Sequence, residues 1–303
     1  MRMFGFTLLC MEKLFANRPL LRMLLKVGRM LLLIYIGFGL LLAVRQRSFL
    51  YYPARANLQD LTLSAASHGL IPWKTVNGKY MGWQPAQSIP EGADLMMVFH
   101  GNAGFALHRT YLVDGFQRPI DDPAFYVFLF EYPGYGPRTG APSEDAFNTA
   151  AEQALRELKA THPGSRIFLT GESLGTGVAS WLAGEHPAYI SGIFLMTAFN
   201  RLADVARHHY PVMPVNLLLR DRFESSLALE RFHGPVAILL AGNDNVVPTR
   251  FGKKLYEAYQ GPKQLWVQNN RNHNTLDYGL HEPWWQEVKD FLLQNAPPKP
   301  VHL

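Results

Sequence analysis

Six short, uninterrupted apolar runs recur between residues 95 and 267: Leu95–Phe99, Phe125–Phe130, Ile167–Thr170, Ile193–Met196, Val236–Leu240 and Leu265–Val267. None alternates apolar with polar residues, so each suits a strand buried on both faces. Helix-forming stretches separate them, near 104–118, 143–160, 175–187 and 249–260, with a last one near 282–294. Strand–helix alternation predicts an α/β fold with a doubly wound, mostly parallel sheet. Ligands of such a sheet bind beyond the carboxyl ends of its strands, so chemistry is expected in the segments that follow the runs. Those segments read HGNAG (100–104), EYPGYG (131–136), GESLG (171–175), GNDNVVP (242–248) and NNRNHN (269–274).

The N-terminus is a different object. The first 47 residues hold Arg2, Lys13, Arg18, Arg22, Lys26, Arg29, Arg45 and Arg47 against one acid, Glu12. Their charge of +7 exceeds the +5 of the whole 303-residue chain, so the other 256 residues stand at −2. A basic face for nucleic acid is therefore not expected on the larger part. Met30–Val44 carries no charge and is flanked by Arg29 and Arg45. As a helix it would span roughly 22 Å, against about 30 Å of hydrocarbon. The flanking arginines can extend that reach by snorkelling. The reading is a basic lead-in and anchor over 1–47, with the anchor helix at about 30–44 and the catalytic-sized domain at 48–303. A cleaved signal peptide is the rival, but LLAVRQR offers no small-x-small site. The cations before the span outnumber those after it, which favours the bulk of the chain outside the cytoplasm. A single cysteine, Cys10, excludes a disulfide framework and a cysteine-built zinc site.

Gly171-Glu172-Ser173-Leu174-Gly175 follows one apolar run and precedes a stretch of small, helix-compatible residues. A sharp strand-to-helix turn of this kind lifts a serine hydroxyl above the sheet and needs small neighbours. Partial positive charge at the helix N-terminus favours an oxyanion there. Ser173 is thus the candidate nucleophile, and it needs a base and a residue to orient that base. The expected chain order is serine, acid, histidine. Asp244, directly after Val236–Leu240, is the candidate acid, with an Asx turn as the plain alternative. Asp204 and Asp221 are weaker rivals. His273, in the asparagine-rich loop after the last run, is the candidate base. His281, His208 and His209 compete less well by position. The glycine-rich HGNAG loop can present backbone N–H groups, so the oxyanion donors are assigned to Asn102 and Leu174. His100 precedes the serine and is expected to hold this loop by hydrogen bonds.

Taken together these motifs resemble the α/β-hydrolase superfamily. Within it they are most similar to the membrane-anchored serine hydrolases that include the depalmitoylase-like enzymes and their bacterial relatives. The resemblance runs over roughly 49–294. It rests on Phe49-Leu50-Tyr51-Tyr52-Pro53, Val76-Asn77-Gly78 with Gly82-Trp83, His100–Gly104, Tyr132–Gly136 with Pro142-Ser143-Glu144, Gly171–Gly175, and the Asp244 and His273 loops. The chain departs from the family pattern at Glu172, where a basic residue is common, and at Arg271-Asn272, where a glycine often precedes the histidine. The lone cysteine does not support a eukaryotic depalmitoylase role. The resemblance implies a small cap formed by an insertion at 200–233, and an acyl ester or thioester substrate. It also implies a single-helix anchor in a membrane, the bacterial inner membrane for the bacterial relatives. No cofactor or metal is required by this chemistry. The same groups could cleave amides, as in a serine peptidase, and a non-catalytic membrane-tethered binding protein is the reading from a different class.

Overall fold

A computed structural model describes residues 19–117 and 124–299. The chain divides into two compact units between Gln46 and Arg47. The first unit is built on α1 (Pro19–Leu50), which is 32 residues long. It is longer than the uncharged 15-residue run because Arg22, Lys26, Arg45 and Arg47 continue the helix at both ends. By length and composition α1 is able to cross a membrane. The rest of the basic lead-in, including Arg2, Glu12, Lys13 and Arg18, lies outside the described residues.

The second unit holds an eight-stranded sheet. Its strands are β2 (Leu70–Lys74), β3 (Tyr80–Pro85), β4 (Leu95–Phe99), β6 (Tyr126–Phe130), β7 (Ile167–Glu172), β8 (Ile190–Met196), β9 (Val236–Ala241) and β10 (Lys263–Gln268). Their spatial order is β10-β9-β8-β7-β4-β6-β3-β2. From β10 to β6 all neighbours are parallel. Two strand-like segments, β1 (Tyr52–Pro53) and β5 (Ala103–Gly104), pair separately. Five of the six apolar runs are buried on both faces, as their unbroken character demands, whereas Leu265–Val267 is only half-buried because β10 is an edge strand with a neighbour on one side alone.

Alternate residues of each strand feed two cores. Leu95, Met97 and Phe99 pack on one side with α4 (Glu144–Thr161), α5 (Leu174–Glu185) and α9 (Thr249–Ala258). Met96 and Val98 pack on the other with α2 (Leu58–Ala66), α3 (Thr110–Phe116) and α10 (Trp284–Asn295). α4 shows why these helices form. Ser143 caps it by accepting from the Ala146 N–H at 3.1 Å, Glu144 and Asp145 occupy its first turn, and Phe147, Ala151, Leu155 and Leu158 make the buried stripe.

The periodicity misses the antiparallel β2–β3 hairpin. Pro72 and Gly82 disguise it, and both are tolerated for local reasons: β2 is an edge strand, and a Cβ at Gly82 would sit 2.1 Å from the Leu129 carbonyl oxygen. The Val76-Asn77-Gly78 motif is the turn of this hairpin, with Gly78 at φ 77°. The insertion at 200–233 contains three short helices, α6 (Leu202–His209), α7 (Val215–Leu218) and α8 (Ser225–Leu229).

Close packing makes one glycine of α3 a test of the second core. A Cβ at Gly115 would lie 2.2 Å from the Trp285 ring, whereas one at Gly37 in α1 meets nothing within 4 Å. Gly115→Ala should destabilise the domain by about 1–3 kcal/mol, the usual cost of overpacking. Gly37→Ala should leave thermal unfolding in detergent unchanged.

Candidate active site

The turn from β7 into α5 is packed backbone against backbone. Ser173 has φ 52° and ψ −116°, a conformation costing about 1–3 kcal/mol that surrounding contacts must hold in place. Its N–H donates to the Met196 carbonyl at 2.9 Å. Its own carbonyl accepts from the Thr176 hydroxyl at 2.6 Å. The two flanking glycines are demanded by space. A Cβ at Gly171 would approach the Gly175 carbonyl oxygen to 2.5 Å, and one at Gly175 would approach that of Phe99 to 2.2 Å. The turn therefore fits only because β4, β7 and the first turn of α5 can touch backbone to backbone.

Ser173, His273 and Asp244 form one hydrogen-bonded chain. The Ser173 Oγ lies 2.9 Å from His273 Nε2, and His273 Nδ1 lies 2.7 Å from Asp244 Oδ2. The histidine side chain is 10% exposed and the aspartate 2%. Asp244 also fulfils the plain alternative, because its Oδ1 accepts from the N–H groups of Val246 (2.9 Å) and Val247 (2.7 Å). One carboxylate oxygen closes an Asx turn and the other faces the imidazole. The asparagines around His273 shape its loop: Asn272 Oδ1 accepts from the Asn274 N–H at 3.1 Å, and the Asn272 N–H donates to the Thr275 hydroxyl at 3.0 Å.

The HGNAG loop runs against this chain, and a Cβ on Gly101 would be 3.5 Å from the Ser173 Cβ. His100 is fully buried. Its Nδ1–H donates to the Gly101 carbonyl at 2.8 Å, and its Nε2 faces Glu131 Oε1 at 3.1 Å. Because a trans peptide points its C=O and N–H in opposite directions, holding the Gly101 carbonyl also fixes the direction of the Asn102 N–H. Leu174 is the first residue of α5, where a helical N–H has no partner within the helix. Glu131 carries the next turn, accepting from the Ala106 N–H at 3.2 Å.

The alpha/beta hydrolase fold family matches residues 94–220. The domain has the α/β-hydrolase fold. It is similar to an uncharacterized protein of Mycobacterium tuberculosis, 29% identical over 256 residues, covering 83% of this chain and 89% of that one. A lysophosphatidylserine lipase, ABHD12 of Xenopus tropicalis, is 26% identical over 217 residues, covering 64% of this chain and 54% of that protein. The chain thus spans about half of that relative. Among solved structures, an esterase of Pyrococcus furiosus shares the fold at a TM-score of 0.59 and 16% identity, covering 82% of this chain and 99% of that one.

In this fold the rival residues are engaged elsewhere. Asp204 binds Arg201 and Asn200, and Asp221 binds Arg47 and Tyr51. His208 accepts from Arg250 at 2.8 Å, His209 donates to the Val246 carbonyl at 2.8 Å, and the His281 side chain is 80% exposed.

One pair beside the nucleophile escaped the sequence reading. Glu172 accepts from Arg109 through both carboxylate oxygens, at 2.5 and 3.2 Å. Tyr111 adds a third donor at 3.3 Å. Arg109 also reaches the Ala103 carbonyl at 3.3 Å, so it ties β7 to the HGNAG loop. The unusual acid at position 172 was the available signal, since a buried carboxylate calls for a cation.

Burial opposes charge on Glu172, but the Arg109 guanidinium outweighs it and holds the carboxyl below its ordinary range. The folded protein then binds this proton less readily than the unfolded chain does. The pair's contribution is present above the ordinary glutamate value near pH 4.5 and is lost as pH falls below it. Urea unfolding measured from pH 7 to pH 3 should show wild type more stable than Glu172→Gln at neutrality. The gap should close through the acid range.

Proposed function

We propose that this chain is a serine hydrolase that cleaves carboxylic esters or thioesters through an acyl-enzyme. The observation that carries this reading is the continuous chain from Asp244 Oδ2 through His273 to Ser173 Oγ. In the proposed reaction His273 Nε2 takes the Ser173 proton as Oγ attacks the acyl carbon. Asp244 accepts from Nδ1–H, fixing the tautomer and stabilising the imidazolium. The N–H groups of Asn102 and Leu174 receive the tetrahedral oxyanion, and the imidazolium returns its proton to the leaving alcohol or thiol. Water then repeats the sequence on the acyl-enzyme. A carboxylate nucleophile, as haloalkane or epoxide opening would use, is absent from position 173.

An apolar acyl group suits the surroundings. Tyr210, Val212 and Leu217 of the 200–233 insertion and Val246 beside Asp244 are exposed apolar side chains. His209 joins the insertion to the Asp244 loop through the Val246 carbonyl. We read the insertion as a cap that receives the acyl chain, and α1 as a membrane anchor that keeps the domain near lipid substrate. A relative that bears the name of a lipase agrees with this choice. Amide cleavage by the same groups is the alternative within the class.

Labelling with a fluorophosphonate probe tests the assignment. Wild type should be labelled and Ser173→Ala should not; labelling that persists in the variant refutes the nucleophile. Asp244→Asn should lower kcat by about 10⁴-fold, as loss of the correct tautomer does elsewhere. Rates on p-nitrophenyl esters and acyl thioesters should rise with chain length. A chain faster on peptide amides than on any ester would favour the peptidase reading.

A further inference from the structure

The motif Phe49-Leu50-Tyr51-Tyr52-Pro53 has no part in the proposed reaction, yet its backbone is bonded to the loop that supplies one oxyanion donor. The Asn102 carbonyl accepts from the Tyr52 N–H at 2.9 Å and from the Tyr135 hydroxyl at 2.7 Å. The Asn102 side-chain amide donates to the Leu50 carbonyl at 2.9 Å. Beyond it, β1 and β5 pair in parallel, Tyr52 with Ala103 and Pro53 with Gly104, and the Ala54 N–H reaches the Gly104 carbonyl at 3.0 Å. This two-stranded sheet is separate from the main one. Residues 50–54, together with Tyr135 and Arg109, therefore hold the 102–104 backbone, which takes no part in the ladder of the eight strands.

Those residues are themselves fastened at one buried carboxylate. Asp221, in the base of the 200–233 insertion, is 3% exposed. Both its oxygens accept from Arg47, each at 2.9 Å, and Oδ2 also accepts from the Tyr51 hydroxyl at 3.0 Å. The Glu144 N–H adds a bond to Oδ1 at 3.3 Å. The Tyr51 ring packs edge-on against Phe147, with centroids 5.2 Å apart.

We infer that Arg47–Ala54 is a strap that positions the oxyanion loop, with Arg47, Tyr51 and Asp221 as the positioning residues that hold it taut. The inference rests on the proposed serine-hydrolase reading. A donor to the oxyanion acts on charge that exists only in the transition state. Misplacing it lowers kcat and leaves substrate binding alone. Deleting a whole oxyanion donor costs about 10²–10³ in kcat. A strap that misplaces the donor without deleting it should cost less, about tenfold. The last turn of α1 thereby becomes part of the catalytic framework as well as the link to the apolar helix.

The test uses the full chain in detergent micelles. Active sites are first counted by fluorophosphonate labelling, and kcat and KM are then measured on a p-nitrophenyl ester. Absence of wild-type labelling would refute the serine-hydrolase reading itself, before the strap is examined. Given labelling, Arg47→Ala and Asp221→Asn should still label stoichiometrically while kcat falls about tenfold and KM stays within about twofold. Asn102→Ala keeps its peptide N–H and loses only the bond to Leu50; it should show the same split. Should Asp221→Asn fail to fold, Tyr51→Phe removes a single hydroxyl from the same cluster and should lower kcat in the same sense. Arg156→Ala breaks an exposed ion pair to Glu152 on α4 without touching the strap or the insertion, and should keep full kcat. Unchanged kcat in folded Arg47→Ala and Asn102→Ala would overturn the inference. So would an equal loss in Arg156→Ala, or a loss expressed in KM.

Discussion

Everything at the site depends on how closely the β7–α5 turn approaches its neighbours. Two glycines remove the side chains that would strike the carbonyls of Phe99 and Gly175. With them gone, Ser173 can be held at φ 52° by bonds from Met196 and Thr176. The strain is local, but the contacts that hold it come from β4, β8 and the first turn of α5. The central strands must therefore be in register before the serine can be presented. The buried apolar runs supply that register, since each is committed on both faces.

Around this turn single polar side chains serve two partners. Asp244 closes its own loop with one oxygen and faces His273 with the other. His100 holds a peptide plane and meets Glu131, which in turn accepts from the Ala106 N–H. Asn102 bonds on both its carbonyl and its side chain. Loops at strand ends have no ladder to fix them, and such side-chain bonds take its place. Among the described residues, Asp244, His100, Glu131 and Asn102 leave no buried side-chain polar atom without a partner, and each bond is stronger for being desolvated.

The legible part of the fold was the part written in one dimension. Parallel strands announce themselves because both faces are apolar, so Leu95–Phe99 and Val236–Leu240 could be placed closely. β2 and β3 could not, because Pro72 and Gly82 break the pattern and only their neighbours in the sheet make them acceptable. Ser173 and Asp244 stood out from their turns, and His273 from its place after the last run. Arg109 lay in no recognisable pattern, and its pairing with Glu172 spans 63 residues of sequence. Asp221 was read as a weak rival for the acid, whereas its carboxylate is taken up by Arg47 and Tyr51, more than 160 residues away.

By itself the sequence determined the class of fold, the division into a +7 N-terminal segment and a −2 domain, and the candidate groups for the chemistry. Those properties follow from periodicity, local turn chemistry and charge count, which are sums over neighbours in the chain. Tertiary structure alone decided that Ser173 and His273, 100 residues apart, lie 2.9 Å from one another. It alone decided that Glu172 is neutralised by Arg109, and that residues 50–54 clasp the loop at Asn102. These are long-range pairings fixed by how strands and helices pack. A hydrogen bond a few ångströms long depends on the placement of every layer between its partners, which no local pattern encodes.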